Sequence, residues 1–302
     1  MLECLLRGGD ARSARRIVLR VSGALPKLVE RLQRYYPNYP LVANDTFADA
    51  YVGLRRSFSL DRDWYRTAAV FGDDGRLFTK FPLDAMVANI EWMTNWFVAM
   101  RVHHFLMFHA AVVADDFQNA VIFPGEPGAG KSTLCAYLIH HGWRLLSDEF
   151  TLIRDRSLEI HPFPRAIPLK NESIGVIREI LPKAVLGPEI FGTRKGTISH
   201  LCPEDTHIRR MDETARPKLV VFPSFKSHAP LSIESVAPKE CFAGLTRHSF
   251  NYVIRGLDGF EPTSALTNAV KWYRLIYSDL PSAAAAIKKL MEETREASIS
   301  LN

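Results

Sequence analysis

Near the middle of the chain, Gly125-Glu126-Pro127-Gly128-Ala129-Gly130-Lys131-Ser132 satisfies G-x-x-x-x-G-K-[ST] at every fixed position. The spacing has a physical cause. A loop that wraps a phosphate with backbone N–H groups must lack side chains where it turns and approaches the anion, and Gly125, Gly128 and Gly130 meet that need. A helix opening at Lys131 would aim its N-terminal dipole at the same charge. Lys131 is placed to reach the β- and γ-phosphates, Ser132 offers a hydroxyl to Mg²⁺, and Thr133 supplies a second hydroxyl beside it. A chance match in a glycine-rich turn is the bland alternative. The apolar run Ala120–Phe123 before the loop and the helical pattern Ser132–His141 after it argue against chance.

Further residues could complete the chemistry. Asp148-Glu149 follows a short apolar run, Trp143–Leu146, where an acid can hold Mg²⁺ or accept a proton from an attacking hydroxyl. Two adjacent acids allow one to serve the metal and the other the proton. His109 lies in an apolar run, Phe108 to Val113, where a histidine is more often a core residue than a catalytic one, but it opens the strand that precedes the strand entering the loop. Arg165, Lys170, Arg194 and Lys195 lie in or near later loops. Phosphoryl transfer needs positive charge against the equatorial oxygens, so this set is a source of phosphate or substrate contacts, although each alone reads as a surface cation.

These residues require strand, loop, helix, strand in that order. His109–Ala114 and Ala120–Phe123 read as strands joined by a polar turn, Ser132–His141 as a helix stopped by Gly142, and Trp143–Leu146 as the next strand. Upstream, Ile17–Val21 reads as a strand, Leu25–Tyr36 as a helix ended by Pro37, and Phe47–Phe58 as partly alternating. Ala68–Phe71 and Arg76–Phe81 form a hairpin turning at Asp74-Gly75. Leu83–Phe108 carries a helical stripe of Met86, Ile90, Met93, Phe97, Met100 and His104. Downstream, Pro162–Lys170 is extended, Asn171–Leu181 a short helix, Gly187–Gly196 a loop and Leu219–Phe222 a buried strand. Helical patterns follow over Pro238–Leu245, Thr263–Ser278 and 282–295. The organisation expected is an α+β region over 1–82 and a P-loop catalytic domain over 83–302.

The 302 residues are 47% hydrophobic and 24% charged, enough apolar material for a full core. The net charge of +5 suits a protein that handles phosphate but falls short of a nucleic-acid surface, and no nucleic-acid motif accompanies it. Cys4, Cys135, Cys202 and Cys241 show no CxxC or zinc-finger spacing, so free thiols are expected. The arginine-rich start has no apolar segment of signal type, and the longest apolar run is too short to span a bilayer. A cytoplasmic protein with no membrane partner is the expectation, and a homo-oligomer is compatible with it.

With these residues in view, the chain resembles the HPr kinase/phosphorylase superfamily, and within it the HPr-kinase-related kinase A group. The strings that carry the resemblance are "FHAAVV", "GEPGAGKST" and "GWRLLSDEFTLI", then "PFPRAIPLKNESI", "GTRKGTISHL", "KLVVFPSF", "RHSFNY" and "YRLIYSDL", with "EWMTNWFV" upstream. The resemblance implies an α/β P-loop kinase domain of the HPr kinase/phosphoenolpyruvate carboxykinase-like type, with a smaller α+β N-terminal region. It implies that His109 lies near the transferred phosphate, that Asp148 is the base for the acceptor hydroxyl, and that Glu149, where those kinases carry Asp, contributes to the metal. The C-terminal signature of bifunctional HPr kinases is not recognisable, which points away from HPr and phosphorolysis. The function expected is therefore an ATP- and Mg²⁺-dependent kinase acting on a serine hydroxyl of a protein or peptide. A small-molecule alcohol kinase and a non-catalytic nucleotide-binding regulator are the alternatives.

Overall fold

The structure is a computed structural model that describes residues 19–23, 25, 27–40, 48–57, 67–72, 74–193 and 195–299. It is mixed α/β, and the chain divides into two compact units. One comprises Met1–Val102, Arg165–Glu179 and Lys183–Arg209; the other comprises His103–Pro164, Ile180–Pro182 and Arg210–Asn302. This division differs from a single cut at 82/83. It leaves residues 83–102 and most of 165–209 with the N-terminal region.

The first unit begins with β1 (Leu19–Gly23), α1 (Leu28–Tyr35), β2 (Ala50–Arg56), β3 (Thr67–Phe71) and β4 (Leu77–Pro82). The strands form a sheet in the order β1-β2-β3-β4, parallel between β1 and β2 and antiparallel beyond. The β3–β4 turn forms at the expected place, with Gly75 at φ +73°, where a residue without Cβ carries no strain. After a 3₁₀ turn at Leu83–Ala85 comes α2 (Met86–Arg101). Its packing explains the division of the chain: Met86, Ile90, Met93 and Phe97 are buried, and α2 lies against β2, β3 and β4. The helix stops at Arg101, short of the expected Phe108. Residues beyond the His103-His104 turn are buried on both faces and pair as a strand instead.

The second unit opens with that strand, β5 (Leu106–Ala114), followed by β6 (Asn119–Pro124), α3 (Lys131–Ile139), β7 (Arg144–Ser147), β8 (Phe150–Ile153) and β9 (Ile160–His161). The chain then returns to the first unit for β10 (Ile167–Lys170), α4 (Glu172–Ile180), β11 (Ile190–Thr193), β12 (Gly196–Leu201) and α5 (Asp205–Arg209). The expected loop over 187–196 instead contains β11 and leads into β12, its antiparallel neighbour in a β10-β12-β11 sheet. Gly196, at φ +83°, makes their tight turn, and a Cβ there would meet Asn171 Oδ1 at 2.2 Å.

The second unit is completed by β13 (Arg216–Phe225), β14 (Ser232–Ser235), α6 (Pro238–Arg247), α7 (Tyr252–Arg255), α8 (Leu257–Ala269), β15 (Lys271–Tyr277) and α9 (Leu280–Ile299). The helical pattern read over 263–278 is therefore half wrong: Lys271–Tyr277 is a strand parallel to β13. The sheet order is β14-β15-β13-β6-β5-β8-β9, with β7 also on β5. Strands β6, β13 and β15 are parallel, so their carboxyl ends share the edge where the glycine-rich loop emerges, the usual place for a ligand in such sheets. Leu106, Phe108, Ala110, Val112 and Ala114 of β5 share a buried cluster with Cys241, Leu245, Leu266 and Trp272. Strand alternation places His109 on the opposite face. Cys135, Cys202 and Cys241 are free thiols; Cys4 lies outside the described residues.

Candidate active site

The loop Gly125–Gly130 leaves the end of β6 and enters α3 at Lys131. Two glycines set its path, Gly128 at φ +89° and Gly130 at φ +90°. At Gly130 a Cβ would stand 2.3 Å from the Tyr277 hydroxyl and 3.1 Å from the Phe225 Cβ, so conformation and space both demand glycine. The loop is anchored from the neighbouring strand ends. Phe225 N donates to Ala129 O at 3.2 Å, and the Tyr277 hydroxyl donates to Gly130 O at 3.2 Å. Burial pushes the Tyr277 phenol well above its ordinary pKa, so it stays a neutral donor.

Inside the loop, the Lys131 ammonium donates to Gly125 O and, at 3.1 Å, to Glu126 O. Lys131 is buried, and a buried ammonium must have oxygen partners. Glu126, Pro127 and Gly128 are exposed, and Ala129 and Gly130 are partly covered. Ser132 and Thr133 form the first turn of α3 and remain partly accessible.

The two acids sit in an interruption of the sheet. Ser147 at the end of β7 pairs with Val112, and Phe150 at the start of β8 pairs with His109, both on the same flank of β5. Asp148 and Glu149 lie between them as bends. The Ser147 hydroxyl accepts from Glu149 N at 3.3 Å and Phe150 N at 3.0 Å, replacing the partners that an unbroken ladder would give. Released from the ladder, the acids reach different partners. Asp148 Oδ2 accepts from Ser132 Oγ at 2.9 Å. Glu149 Oε1 lies 3.3 Å from His109 Nε2. Asp148 is buried; burial first, and then the charge of this carboxylate, push the Cys135 thiol well above its ordinary pKa.

His109 is held from the other flank of β5. Where β6 stops pairing, residues 248–251 take over: His109 N donates to His248 O at 2.6 Å, Phe250 N to Met107 O at 3.0 Å and Met107 N to Asn251 Oδ1 at 3.0 Å. Asn251 Nδ2 donates to Phe105 O at 2.8 Å and Ser249 Oγ to Met107 O at 2.9 Å. Phe250 lies edge-on to the His109 ring and stacks on Phe150.

The structure thus brings His109, the loop, Lys131, Ser132, Asp148 and Glu149 together in one unit. The basic set belongs to the other. Arg165 is buried and donates to Glu91 Oε2 at 2.8 Å and to Asn95 Oδ1, so its charge serves an internal ion pair. Lys170 ends β10, and Lys195 is exposed at the β11–β12 turn. Arg194 lies outside the described residues.

No family model matches the chain, and no curated protein does. Among solved structures, the HPr(Ser) kinase/phosphatase from Coxiella burnetii is similar at 14% identity, over 63% of this chain and 97% of that one, with a TM-score of 0.27.

Sequence reasoning missed three contributors. Tyr277 was hidden in a stretch with helical spacing. Ser249 and Asn251 lie in the "RHSFNY" string, which was visible, but nothing local tells that it clamps β5 some 140 positions earlier. The hard oxygen donors Ser132 and Asp148 suit Mg²⁺. Among the described residues no group of three or more His, Cys, Asp or Glu could hold a metal, so Mg²⁺ here would draw most of its ligands from phosphate and water, as it commonly does.

Proposed function

We propose that the second unit is an ATP- and Mg²⁺-dependent kinase domain that transfers the γ-phosphoryl group to a serine hydroxyl of a protein or peptide. The observation that carries this reading is the Ser132–Asp148 hydrogen bond at 2.9 Å directly after the glycine-rich loop. It supports a hydroxyl and a carboxylate sharing one Mg²⁺, as in P-loop phosphotransferases. Bound there, Mg²⁺ would neutralise charge on the β- and γ-phosphates.

The chain's own groups do the rest. Backbone N–H groups of Gly125, Glu126, Gly128, Ala129 and Gly130 and the Lys131 ammonium hold the phosphates, the ammonium exchanging loop carbonyls for phosphate oxygens. Glu149, oriented by His109, takes the proton of the acceptor hydroxyl as the new O–P bond forms and the bond from the γ-phosphorus to the bridging oxygen breaks, leaving ADP. This division, Asp148 to the metal and Glu149 to the proton, reverses the one that the resemblance implies. It rests on Asp148 facing Ser132 and Glu149 facing His109.

The experiment is transfer from labelled ATP to serine-containing peptides, with Asp148→Asn and Glu149→Gln compared. Asp148→Asn should weaken Mg²⁺-dependent ATP binding. Glu149→Gln should keep that binding and lower turnover by roughly 10²-fold. The opposite pattern would return the base to Asp148. Binding without transfer to any hydroxyl would leave a nucleotide-binding regulator.

A further inference from the structure

The segment that clamps β5 brings a second histidine beside His109. His248 follows α6 and precedes Ser249–Asn251, and the backbone and polar side chains of this segment are tied to Phe105, Met107 and His109 by the bonds given above. An isolated bridge between Phe108 and Ser249 adds to these. Asn251 is 1% exposed, and its amide is bonded on both sides, so the segment has a fixed register on β5. His248 O accepts from His109 N at 2.6 Å, which sets the two histidines side by side on adjacent backbone segments.

The His248 imidazole is only partly accessible. It senses the charges of Glu126 and Lys131 in the loop, of His109 beside it and of Arg247 before it. Burial is the largest influence, and it lowers the pKa of the ring below the ordinary histidine value. An imidazole carries at least one N–H to donate, whether neutral or protonated.

We propose that His248 is a further substrate-contacting residue of this site, donating a hydrogen bond to the γ-phosphoryl group opposite Lys131, so that the site distinguishes a nucleoside triphosphate from a diphosphate. The proposal rests on the kinase reading above and deepens it. The γ side is assigned because His248 lies beside His109 and within electrostatic reach of Lys131, the residue whose ammonium serves the β- and γ-phosphates. Ser249 and Asn251 are positioning residues: they act by fixing the backbone that carries His248 and His109.

The test uses binding alone, with the full chain, Mg²⁺, ADP and the β,γ-imido analogue of ATP, read by calorimetry. In the wild type the triphosphate analogue should bind more tightly than ADP. His248→Ala should weaken the analogue by roughly tenfold, the worth of one hydrogen bond to a charged group, and leave ADP affinity within about twofold. His248→Gln, which restores a donor, should recover most of the loss, and the melting temperature should move little in either variant. Should the alanine variant fail to fold, His248→Leu carries the same comparison. An analogue-to-ADP ratio unchanged by removal of the imidazole overturns the proposal, as does equal weakening of both nucleotides. Failure of the wild type to bind either nucleotide would instead overturn the kinase reading, so the two failures are distinct.

Discussion

Each unit buries a long basic side chain, and the two are treated differently. In the first, the guanidinium of Arg165 meets the Glu91 carboxylate at 2.8 Å and the Asn95 amide, which secures α2 to residue 165. In the second, the ammonium of Lys131 rests on carbonyl oxygens of a loop that is itself partly open to solvent. A carboxylate bound to a guanidinium is costly to displace, because separating the pair leaves a buried charge. A neutral carbonyl gives way readily to a phosphate dianion. In the proposed kinase reading the partners of Lys131 are exchanged for phosphate, whereas Arg165 keeps its carboxylate.

The contrast is broken most severely at Arg165. Arg165→Ala leaves Glu91 charged and buried, and should cost about 3–5 kcal/mol of stability, read as a large fall in the unfolding midpoint. Nucleotide affinity measured below the transition should be unchanged. If affinity falls and stability does not, Arg165 belongs to the phosphate site after all.

A smaller effect concerns pH in the same unit. His200 is 2% exposed, packs edge-on to Tyr35, and is held to a pKa of about 4 by burial and then by Arg165 and Lys170. Its folded pKa lies below the unfolded value of about 6.5, so between the two the unfolded chain binds the extra proton. Stability from this group is complete above about pH 6.5 and is lost as pH falls through about 4, by up to about 3 kcal/mol. His200→Gln should flatten that acid limb in melting curves from about pH 7 down to about pH 4.5. An unaltered limb would place the proton uptake elsewhere.

The same contrast explains what could be read from sequence. The loop, its entering strand and its helix were legible because their determinants are local: glycines at fixed offsets, an apolar run before and a helical period after. The acid pair was legible as a position, but its division of labour was not, since that depends on the break between β7 and β8 and on which partner each carboxylate meets. Lys271–Tyr277 was misread because its buried residues lie on both faces, Trp272 on one and Leu275 and Tyr277 on the other, so the alternation that marks a half-buried strand is missing. The structural role of Arg165 was invisible because Glu91 and Asn95 lie some seventy positions away, and a cation near a proline-spaced stretch reads locally as a surface charge.

The central claim, that the loop of the second unit is a triphosphate cradle whose lysine exchanges carbonyls for phosphate, is tested most directly at Lys131. Calorimetric titration of Mg²⁺-ATP into wild type and Lys131→Ala should give clear binding to the first and a loss of roughly 10²-fold or more in the second, as expected for a charge-assisted contact to phosphate. Transfer should be abolished, and the melting temperature without nucleotide should change little. Equal ATP affinity and turnover in the two proteins would contradict the account.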